Sequence, residues 1–197
     1  TICHEHLEYY SLKSLKYLLT KAGLKITNLS FNQINGGSIE VDVVKKSSKY
    51  KECKDLINWV LESEYVNQYN EIKKHKSFYN ECLNHKKLLK KLLVTLKKQN
   101  KKVVGYGAST KGNVLLQFCG INSKIINNIA EVNKYKFNRY TPGSKIKIVS
   151  EKSVKLKKPD YMLVLPWHFK DYIVKRERDF LKKGGKLIFP LPEIEIV

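Results

Sequence analysis

The stretch PDYMLVLP, residues 159–166, is the strongest constraint on what this chain can become. An unbroken apolar run of strand length, rather than an alternating one, belongs to a strand buried on both faces, and such strands lie in parallel sheets covered by helices. Its surroundings repeat the theme. KKVVGYG reads as a buried strand, STKGNVLLQFCG as a turn into a helix, KIINNIAE as a second strand, IKIVS as a short third and KLIFPLP as the last. HFKDYIVKRERDFLKKGG reads as a helix ending in a Gly pair. This alternation implies right-handed crossovers. It predicts an α/β fold for residues 101–197, a Rossmann-like, mostly parallel sheet with helices on both faces.

The preceding hundred residues follow other periods. In residues 11–22, Leu12, Leu15, Leu18, Leu19 and Ala22 share one helical face, and Gly23 follows as a stop. LKITNLSFNQ and SIEVDVVKK then alternate, joined by Ile34-Asn35-Gly36-Gly37, which predicts an antiparallel pair with a short loop. A helix and two strands are too thin to bury their own apolar face, so this unit must pack on something else. From about 52 to 99 the pattern is helical and highly charged. Ile72, Tyr79, Cys82, Leu89, Leu93 and Leu96 form a narrow stripe with no Pro or Gly to interrupt it, as expected of a long helix or a helical hairpin. Helical segment and hairpin unit together precede the sheet.

Composition narrows the function classes. The net charge is +20, yet only three of the 38 basic residues are arginines (Arg139, Arg176, Arg178), and the lysines are spread along the whole chain. Arg is the usual reader of bases and phosphates, so the charge reads as Lys on solvated faces, and no specific nucleic-acid partner is expected. Attraction to an anionic small molecule stays compatible. No apolar run approaches the roughly 18 residues of a membrane span, and no signal pattern opens the chain, so no membrane partner and a cytoplasmic location are expected. Cys3, Cys53, Cys82 and Cys119 form no CxxC pair, which argues for free thiols over a zinc ribbon or a disulfide framework.

Four places could carry chemistry. The turn Gly105-Tyr106-Gly107-Ala108-Ser109-Thr110-Lys111-Gly112-Asn113 sits where a strand meets a helix, where glycines admit a ligand to the backbone and free N–H groups attract an anion. It is neither a dinucleotide fingerprint, whose third glycine would fall at Thr110, nor a P-loop, since Asn113-Val114 replaces Lys-Ser/Thr. It reads either as a tight turn without a ligand or, given the donors of Ser109, Thr110, Lys111 and Asn113, as a site for a phosphate or a sugar hydroxyl. Trp167 and His168 follow the apolar strand, and ligands of open α/β sheets sit outside the carboxyl ends of strands, so both are expected to face the same crevice. The alternative is a Trp covering the sheet edge and a His capping the next helix. Glu131 ends the second strand, where an acidic residue often meets a ribose; a solvated surface carboxylate is the other reading. His4-Glu5-His6 offers a histidine base oriented by a carboxylate, an H-x-H metal pair lacking a nearby third ligand, or two surface histidines.

The words HEHLEYYS, NGGS, GYGASTKGNVLLQFCGI, YTPGSKI, PDYMLVLPWHF and GGKLIFPLPEIE, in this order, resemble the C-terminal half of the S-adenosylmethionine-dependent sugar C-methyltransferases, which act on nucleotide-linked deoxy-keto sugars. The similarity spans essentially all 197 residues. It implies that residues 1–46 are the end of a class I methyltransferase domain, 47–100 a helical connector, and 101–197 the Rossmann-like C-terminal domain. It further implies a histidine base that takes the proton beside the sugar ketone, after which the enolate attacks the methyl group of S-adenosylmethionine. On the matching positions the base is His6, with His4 and Glu5 lining the pocket; Cys3 stands where the family commonly has Tyr. The C-terminal domain then helps to close over the sugar nucleotide through Gly105, Tyr106, Gly107, Ser109, Lys111, Asn113, Glu131, Trp167 and His168. S-adenosylmethionine is expected mainly on an N-terminal part, because no acidic-glycine motif for it occurs here, and zinc only in a further N-terminal domain. The absence of a starting Met fits a fragment that is inactive without that part; a stand-alone sugar-nucleotide binding module or scaffold is the alternative. The sugar, the carbon methylated and the oligomeric state stay open.

Overall fold

The computed structural model describes residues 8–32, 34 and 37–197, and the chain divides into two compact units, Thr1–Asn80 and Glu81–Val197. In the first unit, α1 (Leu12–Lys21) leads through Gly23, at φ +73°, into β1 (Leu24–Asn32) and β2 (Ser38–Lys45), which pair antiparallel. The expected hairpin forms; Asn35 and Gly36 of its loop lie outside the described residues. Its register shifts between Ile26 and Asn28. That irregularity breaks the two-residue alternation, which is how Ile26 and Leu29, three apart, can both be buried. They meet Leu12 of α1 and Ile57 and Val60 of α2 (Lys54–Val66), so the thin unit finds its cover in the first helix of the charged segment. Glu64 of α2 is buried and accepts the N–H groups of Leu12 and Lys13, capping α1 from across the unit.

The charged segment is broken at Asn67–Glu71 although it contains neither Pro nor Gly. Asn67 caps α2, and Gln68 takes the left-handed conformation at φ +58° before α3 (Ile72–Lys98) begins. Only the C-terminal part of the α3 stripe is core. Leu89, Leu93 and Leu96 are buried, whereas Ile72 and Tyr79 are exposed.

The second unit carries the expected sheet. Six strands, β3 (Val103–Tyr106), β4 (Asn128–Glu131), β5 (Lys147–Ser150), β6 (Tyr161–Val164), β7 (Lys186–Phe189) and β8 (Glu195–Ile196), lie in the order β5-β4-β3-β6-β7-β8. All neighbours are parallel except β7 and β8. The alternation within β6 and β7 divides the core between the two faces of the sheet. Leu163 and Ile188 join Ile129, Ile148 and the buried residues of α3 and α4 (Thr110–Cys119). Met162, Val164, Leu187 and Phe189 join Tyr106 and Ile173 of α6 (Lys170–Arg176), with Phe180 and Leu181 of α7 (Arg178–Lys182) against them. α5 (Glu151–Leu156) packs on β4 and β5.

KLIFPLP is not the last strand, since β8 follows it and pairs antiparallel, and α5 is a helix absent from the expectation. Two further elements differ from the expectation. The KIINNIAE strand is only Asn128–Glu131, because the Asn122 carbonyl takes the N–H groups of Ile125 and Ile126 and holds them in a turn. The helix expected after Pro166 starts as a 3₁₀ turn, Trp167–Phe169, and is interrupted at Glu177, whose carboxylate is buried.

Candidate functional site

From β3 the chain passes to β4 and β5 on one side, then returns to β6 and β7 on the other. The carboxyl end of β3 is therefore a topological switch point, where neighbouring connections diverge and leave a crevice. A cleft of about 240 Å³ lies there. Its lining comes from Tyr106 and the turn Gly107–Ser109, from Ala130, Glu131 and Val132 at the end of β4, from Lys136 and Glu151, and from Pro166, Phe169, Tyr172, Ile173 and Arg176.

The glycine turn is built by close packing and internal hydrogen bonds. Gly107 is at φ +78°, and a Cβ there would stand 2.8 Å from Pro166 Cδ. The other two glycines serve approach of elements. A Cβ on Gly105 would meet Ile129 Cγ1 at 2.7 Å, and one on Gly112 would meet Leu165 Cβ at 2.6 Å, so they seat β3 beside β4 and α4 beside the end of β6. The turn's amides are largely occupied. The N–H of Gly107 goes to the Ala130 carbonyl, that of Ala108 to Glu131, that of Ser109 to the Gly107 carbonyl, that of Gly112 to the Ser109 hydroxyl and that of Asn113 to the Ser109 carbonyl.

Glu131 is a buried carboxylate that holds this turn, not a solvated one. One oxygen accepts the N–H of Ala108 at 2.9 Å, and the other accepts those of Val132 and Asn133 at 2.8 and 2.9 Å. Lys136 Nζ stands 3.6 Å from Glu131 and donates to the Ala108 carbonyl at 2.8 Å, so the pair grips the Ala108 residue at both its N–H and its C=O. Burial alone would raise the Glu131 pKa; the three backbone donors and the Lys136 charge outweigh it and hold the group below its usual range.

Opposite lies a network of four charged residues and a phenol. Tyr106 donates to Glu177 Oε1 at 2.9 Å and accepts from the Arg176 guanidinium. Arg176 also donates to Glu151 Oε2 at 2.6 Å. Lys155 reaches Glu151 at 2.6 Å and Glu177 at 2.7 Å, closing the ring. Glu177 is only 1% exposed, and all of its charge is met inside this set. Burial, then the hydrogen bond to Glu177, pushes the Tyr106 pKa far up, so the phenol stays protonated and donating. Burial pushes Glu151 the other way from the net result: bonds from Lys155 and Arg176 hold it below its usual range.

Of the residues singled out from sequence, Tyr106, Gly107, Ser109 and Glu131 meet at the cleft. Gly105, Lys111, Asn113, Trp167 and His168 do not line it. Trp167 packs against both core clusters, and His168 is exposed with its ring 4.3 Å from that of Phe169, because the 3₁₀ turn carries them past the crevice. Burial and then the Lys111 charge hold the His168 pKa below its ordinary value. The Asn113 side-chain oxygen is buried without a hydrogen-bond partner in the protein. His4, Glu5 and His6 lie outside the described residues. Not far beyond them, Tyr9 and Tyr10 help line a groove of about 490 Å³ in the first unit, together with Phe31, Trp59, Tyr69, Phe78 and Glu64.

Sequence reasoning missed Lys136, Glu151, Phe169, Tyr172, Arg176 and Glu177. Two signals were present. Phe169, Tyr172, Ile173 and Arg176 are spaced as one helical face, and Arg176 is one of three arginines in a chain that otherwise uses Lys.

Neither group implied by the resemblance finds a fitting set of residues in the second unit. Five amides of the glycine turn, those of Gly107, Ala108, Ser109, Gly112 and Asn113, are taken by the fold, so the turn has few left for S-adenosylmethionine. Among the described residues no cluster of three or more His, Cys, Asp or Glu could hold a metal, and Cys53, Cys82 and Cys119 are free, with burial pushing the Cys119 thiol up to about 11. No helix among the described residues is long and apolar enough to cross a membrane.

Fold and cleft together define an α/β domain with a crevice at its switch point. Residues 33–192 match the family described as the C-methyltransferase C-terminal domain, and the chain belongs to that family. It is also 31% identical over 197 residues to the C-methyltransferase NovU of Streptomyces niveus, covering all of this chain and 47% of that protein. The chain thus spans about half the length of the curated relative it matches.

Proposed function

We propose that this chain is the C-terminal part of an S-adenosylmethionine-dependent C-methyltransferase acting on a nucleotide-linked deoxy-keto sugar. The observation that carries the reading is the switch-point cleft of the second unit, found in a member of the C-methyltransferase C-terminal domain family. In this reading the cleft holds the nucleotide portion of the substrate, with Tyr106, Gly107, Ser109 and Glu131 at its floor. His6 takes the proton next to the sugar ketone, a task suited to an imidazole near neutral pH, and Glu5 orients it. The enolate so formed accepts the methyl group of S-adenosylmethionine, which binds to the half of such enzymes that this chain does not cover.

Calorimetry tests the division of labour. This chain should bind a thymidine diphosphate deoxy-keto sugar and show no heat with S-adenosylmethionine; tight binding of the methyl donor would refute the assignment. In a form that includes the donor-binding half, His6→Ala should lower turnover by about 10²–10⁴, as expected for loss of a general base. Turnover near that of the unaltered enzyme would take His6 out of the role.

A further inference from the structure

The second-unit cleft raises a question that the net charge makes sharper. The chain carries +20, yet the four charged residues lining the cleft are Glu131, Lys136, Glu151 and Arg176, two of each sign. Behind them, Lys155 and Glu177 add one more of each. Resting on the nucleotide reading above, we infer that this cleft recognises the uncharged nucleoside half of its ligand, that the phosphates remain outside it, and that Arg176 and Tyr172 are the residues that select the nucleoside.

Three observations carry this. A diphosphate needs uncompensated cations or free amides, and the cleft supplies neither in quantity. Arg176 is held by Glu151 at 2.6 Å, Lys136 is shared between Glu131 and the Ala108 carbonyl, and the amides of Gly107, Ala108 and Ser109 are spent on the Ala130 carbonyl, Glu131 and the Gly107 carbonyl. Freeing Arg176 for phosphate would leave Glu151 facing Lys155 alone, at a cost set by a partly buried carboxylate. The walls, by contrast, suit a planar base. Phe169 and Tyr172 are 57% and 67% exposed, stand three residues apart on the same helical face as Arg176, and offer ring surface on which a base can stack. The volume of about 240 Å³ lies just under the roughly 300–1,000 Å³ usual for whole small-molecule sites, which fits one moiety of a larger ligand.

Arg176 is suited to read that moiety. A guanidinium has five N–H donors in a rigid fork. Tyr106 and Glu151 take two of them and fix the plane, leaving others for the carbonyl edge of a base or for a sugar oxygen. Glu177 does not line the cleft; it is a positioning residue, acting through Tyr106 and Lys155.

The test is a binding panel on this chain: thymidine, uridine, adenosine and guanosine, their 5′-diphosphates, and inorganic pyrophosphate, each at low and moderate salt. One nucleoside should bind within about tenfold of its diphosphate, with little change between the two salt concentrations, and pyrophosphate should neither bind nor compete. Tyr172→Ala, at an exposed position, should weaken that nucleoside at least about tenfold with an unchanged melting temperature. Arg176→Lys should also weaken it and relax the preference among the four bases, with a lower melting temperature from the bonds to Tyr106 and Glu151 that a lysine cannot both keep. A diphosphate that binds while every nucleoside fails, or displacement by pyrophosphate, would overturn this inference and leave the nucleotide reading standing. Absence of binding by any nucleoside or diphosphate would overturn both.

Discussion

Glu177 shows how a single residue can organise a site it does not touch. It is the most buried carboxylate of the second unit, and it is met by Lys155, by the Tyr106 hydroxyl and, at 3.9 Å, by Arg176. Glu177→Gln keeps the shape but leaves Lys155 and Arg176 with less anion between them. It should cost about 1–3 kcal/mol of unfolding free energy, read from urea denaturation. Glu131 gives the pH dependence. Its folded pKa lies below its ordinary value of 4.5, so its contribution is present above 4.5 and is lost as the pH falls through the lower, folded value. Glu151 has the same sign. Glu131→Gln should therefore lower stability at neutral pH and flatten the acid limb of the stability curve. An acid limb as steep as that of the unaltered chain would show that the three backbone bonds to Glu131 contribute little.

At the scale of elements, close approach matters more than ligand chemistry in the glycine turn. Gly112→Ala would put a Cβ 2.6 Å from Leu165 Cβ, backbone-proximal atoms that cannot swing aside, and should cost about 1–3 kcal/mol, measured as a shift in melting temperature. The sheet was legible because apolar runs such as Tyr161–Val164 have few other destinations, and the hairpin because β1 and β2 alternate. The break between α2 and α3 was not, since a left-handed Gln68 carries no mark that a Gly would. For the site, sequence found the floor and missed a wall. Tyr106, Gly107, Ser109 and Glu131 follow from the rule that ligands lie beyond the carboxyl ends of strands. Trp167 and His168 satisfy the same rule on paper, but the 3₁₀ turn hands the wall to Phe169 and Tyr172 instead. The Arg176–Glu151–Lys155–Glu177 ring joins residues of α5 and α6 and the break between α6 and α7, and apart from the i,i+4 pair Glu151–Lys155 its long-range pairing leaves no local pattern.

Across the whole molecule the charge is large but locally balanced where it matters. An excess of +20 should bind polyanions without reading them, through charges that salt screens over about 8 Å at 0.15 M. Retention on heparin should thus collapse between low and moderate salt. Ligand affinity in the cleft should persist over the same range, and a parallel loss of both would tie the cleft to the bulk charge. The sheet's last strand has a more practical bearing. Val197 exchanges both its N–H and its carbonyl with Leu187, and β8 shields β7, in which Leu187, Ile188 and Phe189 are all buried. The shield is pinned by the Lys170–Glu195 ion pair and keeps the edge of β7 from pairing with another strand. Lys170→Glu would set two like charges across that seam, and a loosened β8 would bare β7 as a landing strip for other copies of the chain.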